Sequence, residues 1–179
     1  MKRIILTLLA ILLIAAFAVG CGVEDPLNPN KTVADDDSGE QTDQTANDAN
    51  YDDSIEGIYN YMLDLGLINK SDPTAMAADL IGAEEGNKYS YRLNGTQVTV
   101  ELYSYDTENL NDTAKEILDS LKATGSFEIL DLGEVKAVLS DSGKYLLVYS
   151  DKAFDSNKPN EKNIERYDRF VAEFKKFHN

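Results

Sequence analysis

The chain of 179 residues has no tryptophan, one cysteine, one histidine and four prolines. It has 17 basic residues against 32 acidic ones. Each shortage removes a class of chemistry. A single cysteine, Cys21, cannot form an internal disulfide, so whatever folds must do so without covalent staples. The only histidine, His178, sits one residue from the C-terminus, so neither a Ser-His-Asp nor a Cys-His catalytic arrangement can be assembled in an interior site. The same two scarcities leave zinc without its usual ligands. No Gly-rich phosphate loop of the Walker or dinucleotide type occurs; Gly82-Ala83-Glu84-Glu85-Gly86 lacks the lysine that should follow and reads as a helix stop plus a turn. The formal net charge of -15 disfavours nucleic acid and anionic headgroups as partners. No cofactor and no metal are expected.

What is present begins at the N-terminus. Lys2 and Arg3 precede an uncharged run from Ile4 to Val19 in which Thr7 is the sole polar residue. That run is long for a core helix and short for a membrane span. It closes on Ala18-Val19-Gly20-Cys21.

This tetrad resembles the bacterial lipoprotein signal: an aliphatic or small residue, two small residues, then cysteine. Val19, Gly20 and Cys21 match, while Ala18 replaces the more usual leucine. The resemblance covers residues 1–21. It implies that a diacylglycerol is attached to Cys21, that residues 1–20 are removed, and that the protein faces out of the cytoplasm, anchored to the cell membrane. Two acyl chains suffice for stable attachment where one does not. Lipidation would also consume the only thiol. Loss of the two positive charges of Lys2 and Arg3 would take the net charge from -15 to -17. The alternative reading of the run is a retained transmembrane helix.

Residues 21–53 read as a lipidated N-terminus followed by a disordered acidic tether. Asp, Asn, Thr and Gln dominate, ten acids face the lone base Lys31, and no apolar period exists to offset the entropy of ordering. About thirty such residues span ~30 Å on average and ~100 Å when extended. Asp35-Asp36-Asp37 does not open a calcium loop: the sixth position, Glu40, is not glycine, and the twelfth, Ala46, is not glutamate.

Residues 54–179 read as one α+β domain: a mainly antiparallel sheet of four to five strands with three to four helices packed on it. Ile55, Ile58, Tyr59, Met62 and Leu65 mark a helix face, with Asp52, Asp53 and Ser54 as capping residues and Gly66 as stop. A shorter helix is expected from Pro73, with Met76, Ala77, Leu80 and Ile81 inward and Gly82 ending it. Asn94-Gly95 is the preferred dipeptide of a type I′ hairpin. It predicts the pairs Leu93–Thr96, Tyr91–Val98 and Tyr89–Val100 on an apolar face, and Arg92–Gln97, Ser90–Thr99 and Lys88–Glu101 on a polar one. Thr113–Thr124 is a helix with Ala114, Ile117, Leu118 and Leu121 inward, capped by Asn111 or Asp112 and closed by Gly125. Strands are expected at Phe127–Leu130, Val135–Ser140 and Lys144–Ser150, the last apolar on both faces and so interior to the sheet. Asn160–Phe177 is a long helix with an aromatic stripe through Ile164, Tyr167, Phe170, Val171, Phe174 and Phe177. Two strands followed by a helix occur twice, a pattern compatible with pseudo-duplication.

Three functions fit this inventory. The leading one is a non-catalytic binding or structural role at the cell surface, with an envelope protein or wall component as partner. The second is a small-molecule or wall-glycan binder: Tyr103 and Tyr105 share one strand face, Tyr145 and Tyr149 another, and together they are the candidate ligand-binding residues if both pairs reach the same side of the sheet. The preferred reading has the first two helices cover that side and the tyrosines belong to the core, since an open aromatic sheet face invites aggregation. The third is a carboxylate-dependent envelope hydrolase, which needs two acids about 5–9.5 Å apart in a cleft. Glu84 and Glu85 are adjacent acids, but a loop position favours plain solvent exposure.

Overall fold

The computed structural model describes residues 45–129, 133–152, 154 and 161–179. Cys21, the signal-like segment and residues 1–44 lie outside the described residues, as do Leu130 and Asn160. In chain order the elements are α1 (Ile55–Asp64), β1 (Thr74–Ala75), β2 (Glu85–Leu93), β3 (Thr96–Ser104), α2 (Asp112–Thr124), β4 (Ser126–Glu128), β5 (Glu134–Lys136), β6 (Val138–Leu139), β7 (Tyr145–Asp151) and α3 (Glu161–Lys176). Among the described residues no helix is long and apolar enough to cross a membrane.

The turn at Asn94-Gly95 governs the sheet. Both residues take positive φ, 48° and 80°, as a type I′ turn requires. The β2–β3 register is the expected one, from Leu93↔Thr96 out to Lys88↔Glu101 and on to Glu85↔Ser104. β7 pairs antiparallel with β3 on its other side, and the sheet order is β1-β2-β3-β7-β6. β7 is therefore interior, which is why both of its faces are apolar. The fold is α+β, with three α-helices, a five-stranded antiparallel sheet and a two-stranded one among the described residues.

Each face of the large sheet carries its own core. On one, Ile55, Ile58 and Met62 of α1 and Phe170 and Phe174 of α3 meet Val98, Val100, Leu102, Tyr145 and Leu147. On the other, Ala114, Ile117, Leu118 and Leu121 of α2 meet Tyr103, Tyr105, Phe127 and Leu146. Burial of each large side chain contributes about 1.5–3 kcal/mol. The strands-then-helix unit does occur twice, β2-β3-α2 and β6-β7-α3, with the two helices on opposite faces. Helix ends follow local chemistry. The Ser54 hydroxyl accepts from the Gly57 amide (3.0 Å), the Asn111 side chain accepts from the Ala114 amide (2.8 Å), and Gly125 closes α2 with φ 74°.

Four expectations need correction. The short helix from Pro73 does not form. Thr74–Ala75 pairs with Lys88 and Asn87 as β1, and only Ala78–Ile81 turns, as a 3-10 helix. A 3-10 turn eclipses residues three apart, so Ala78 and Ile81 point inward, whereas Ala77 and Leu80 are exposed. Val135–Ser140 is not one strand. Glu134–Lys136 pairs with β4, Val138–Leu139 pairs with β7, and the Ala137 amide between them donates to the Gly125 carbonyl at 3.1 Å.

The domain also begins earlier than residue 54. Ala46 and Tyr51 pack against the α1/α3 core, and Asp48–Asn50 forms a 3-10 turn whose Asn47 side chain accepts from the Ala49 amide at 3.1 Å. Gly86, expected in a turn, lies inside β2. There it sits opposite Tyr103, whose ring occupies the space that a Cβ would need.

Candidate functional site

Register decides where the tyrosines go. Residues directly opposite on antiparallel strands share a face, and β7 pairs with β3 as Ser104↔Tyr145, Tyr103↔Leu146 and Val100↔Tyr149. Tyr145 and Tyr149 therefore belong with Val100 and Leu102 on the α1/α3 side, and Tyr103 belongs with Leu146 under α2. The two pairs do not reach the same side, so the alternative of a four-tyrosine surface is not realised. Tyr103 and Tyr105 are in the α2 core and Tyr145 is in the α1/α3 core. Their hydroxyls are engaged as well. Tyr103 donates to Glu101 (3.0 Å), Tyr105 to the Ile81 carbonyl (3.3 Å) and Tyr145 to Asp53 (2.7 Å).

Tyr149 is the exception. It is half-buried and lines a cavity of about 490 Å³ together with Gly125, Lys136, Ala137, Val138, Leu147, Phe154 and Tyr167. The cavity opens where β5 leaves the large sheet to pair with β4. β6 covers β7 only at Leu146 and Leu147, so the strand beyond them carries Tyr149 past the end of its neighbour. A second cavity of about 360 Å³ abuts the same ring pair, Phe154 and Tyr167, and adds Ile164 and Asp168. Volumes of this order suit small-molecule sites.

The wall is an aromatic cluster. Tyr149 and Tyr167 have ring centroids 4.8 Å apart, Phe154 lies 5.4 Å from Tyr167 and 6.0 Å from Tyr149, and Phe170 backs Tyr149 at 5.9 Å. Burial pushes the Tyr149 hydroxyl above its usual pKa, nearby Asp151 adds to the shift and Arg166 opposes it. Burial and then Asp168 likewise raise Tyr167. Both phenols are thus neutral donors at any physiological pH. Behind the wall, the Tyr91 hydroxyl is buried without a hydrogen-bond partner among the described residues, and it interacts electrostatically with both Tyr149 and Arg166. Arg166 itself holds the end of α1, donating to the Leu67 (2.8 Å) and Gly66 (2.6 Å) carbonyls.

The chain matches no family model, no curated protein and no solved structure. The chemistry of the site must therefore be read from its own side chains.

Among the described residues lining the larger cavity, Lys136 is the only charged group, and no histidine, cysteine or carboxylate is present. Asp168 is the one carboxylate among the described residues lining the smaller cavity. Glu84 and Glu85 are exposed, and Glu85 accepts from the Asn87 side chain at 2.8 Å. No group of three His, Cys, Asp or Glu among the described residues is placed to hold a metal ion. What the arrangement offers is apolar and ring surface with a cation at one wall, which is binding chemistry. From sequence, Tyr167 is legible as part of the α3 stripe, but Lys136 and Phe154 carry no local signal: the strand split places Lys136, and the turn after β7, where the Phe154 amide donates to the Asp151 carbonyl at 3.0 Å, places Phe154.

Proposed function

We propose that this protein is a lipid-anchored extracytoplasmic binding module that holds a small molecule without transforming it. The aromatic-walled cavity at Tyr149, Tyr167 and Phe154 carries the binding half of this reading, since rings and aliphatic side chains line it and Lys136 is the only charged lining group among the described residues. The Ala18-Val19-Gly20-Cys21 tetrad after its apolar run supports the anchored half. Attachment through the diacylglycerol on Cys21 would place the cavity outside the cell membrane, within reach of envelope and wall components. A wall glycan is a second candidate occupant, favoured by the Tyr149 and Tyr167 rings, on which a sugar face can stack.

Two measurements test the two halves separately. The intact mass of protein from its native membrane should correspond to residues 21–179 with a diacylglycerol on Cys21; an unmodified Cys21 or a retained 1–20 segment removes the anchor. Thermal-shift screening of small amphiphiles and wall fragments should find compounds that stabilise the wild type but not Tyr149→Ala. If wild type and variant respond alike to every compound, the cavity is not a binding site.

A further inference from the structure

The charge of the larger cavity departs from that of the chain around it. The protein has 32 acidic and 17 basic residues, yet the described residues lining this cavity include Lys136 and no acid. Lys136 is the last residue of β5, opposite Ser126, and forms no ion pair among the described residues. Its neighbour on the same strand face, Glu134, is already engaged by the Ser126 hydroxyl at 2.5 Å. The ammonium group is thus left for something else. The same cavity is lined by Val138, Leu147 and the rings of Tyr149 and Tyr167, which supply apolar area and shape.

We propose that the cavity selects an amphipathic anion: a flat or aliphatic body against Leu147, Tyr149 and Tyr167, with a carboxylate or comparable anionic group paired to Lys136. This rests on the reading of the cavity as a ligand site and adds the chemical class. The field of an acidic protein repels anions at long range, so a site carrying an unneutralised cation gains discrimination from the contact itself. A lysine ammonium serves as a point charge for one anionic group. The rings hold the body by stacking and edge contacts, which two ligands with the same body share. Body and charge are therefore read by different residues, and the two contributions separate by mutation.

The test uses two probes with one body and opposite charges, 2-naphthoate and 2-naphthylmethylammonium. Each is dialysed to equilibrium against the full-length protein in neutral detergent, with detergent alone as the blank. Wild type should bind the naphthoate about five-fold or more tightly than the ammonium, the scale of a partly exposed ion pair. Lys136→Gln, a change at an exposed position, should keep the melting temperature and abolish that preference. Tyr149→Ala should weaken both probes together. Equal affinity for the two probes in wild type, or a preference that survives Lys136→Gln, overturns the anion inference while leaving the cavity as a ligand site. Binding of neither probe by wild type, or of both unchanged by Tyr149→Ala, overturns the inference and the cavity reading alike.

Discussion

The side-chain amide of Asn163, in the first turn of α3, donates a 3.0 Å hydrogen bond to the carboxylate of Asp151 at the end of β7, and both residues are buried. The other Asp151 oxygen accepts from the Thr96 hydroxyl at 3.0 Å, and the Asn163 carbonyl accepts from the side chain of Asn94. Asn94 thus serves twice: its backbone makes the hairpin turn, and its side chain ties that turn to α3. The network fixes the N-terminal end of the helix that brings Tyr167 to the cavity.

Asn163→Ala removes the donor to Asp151 and the acceptor for Asn94 at one stroke. A buried polar group left unpaired costs about 1–3 kcal/mol, so the urea midpoint should fall by that equivalent with an unchanged m-value. Asn163→Asp, which sets a second carboxylate against Asp151, should cost at least as much. A shift below about 0.5 kcal/mol, the range of an ordinary surface change, would show that the network contributes no stability.

Gly86 faces Tyr103 across β2 and β3. A Cβ there would lie 2.6 and 2.7 Å from Cδ1 and Cε1 of the Tyr103 ring and 3.2 Å from the Met76 Cβ. Gly86→Ala should therefore destabilise by about 1–3 kcal/mol, as overpacking does. Adding Tyr103→Leu should recover part of that loss, because the two positions share the same space. Purely additive losses in the double variant would place the strain elsewhere.

Stability at acid pH should depend on Asp53. Burial alone would raise its pKa, but hydrogen bonds from Lys144 (2.6 Å) and Tyr145 (2.7 Å), with the charges of Lys144 and His178, outweigh burial and hold it below the ordinary 3.8. A depressed folded value means that the contribution is fully present above an unfolded pKa of about 3.9 and is lost as pH falls through the folded value. Melting temperatures from pH 7 to 2 should thus fall less steeply below about pH 4 in Asp53→Asn than in wild type, the variant starting lower at neutral pH. Parallel curves would show that the carboxylate is not preferentially ionised in the fold.

Asp48, Tyr51 and Asp53 make the boundary of the folded unit testable. Asp48 accepts from the His178 amide (3.0 Å), the Tyr51 carbonyl contacts the His178 ring (2.9 Å), the Tyr51 hydroxyl donates to Asp64 (2.7 Å), and Asp53 holds Lys144. Residues 45–179 should melt with the full-length protein. Residues 54–179 should be less stable by about 1–3 kcal/mol, the scale of one half-buried aromatic side chain with its hydrogen bonds. Equal stability of the two fragments would place residues 45–53 outside the cooperative unit.

The parts of the fold legible in the sequence are those set by neighbours along the chain. Asn94-Gly95 specifies a turn, the turn sets the register, and the register fixes nine strand pairs. Ser54, Asn111, Gly66 and Gly125 mark helix ends because capping is a bond between residues three or four apart. The apolar periods of α1, α2 and α3 identify their inward residues, and the Tyr145–Tyr149 run identifies an interior strand. The acid excess and the single cysteine, likewise, are properties of composition alone.

Tertiary structure decided which surfaces those elements share. Tyr103 and Tyr149 are equally tyrosines on strands; the pairing of β3 with β7, across more than forty residues of chain, puts one under α2 and the other at a cavity. Val135–Ser140 reads as one strand, yet it divides because its first half finds β4 and its second half finds β7. Lys136 acquires a role only through that division, and Phe154 only through the turn that follows β7. Alternation and capping are governed by bonds a few residues long, whereas strand order and sheet splitting depend on which distant partner buries the most surface and satisfies the most backbone groups. The elements were written locally, and the candidate site is a product of their assembly.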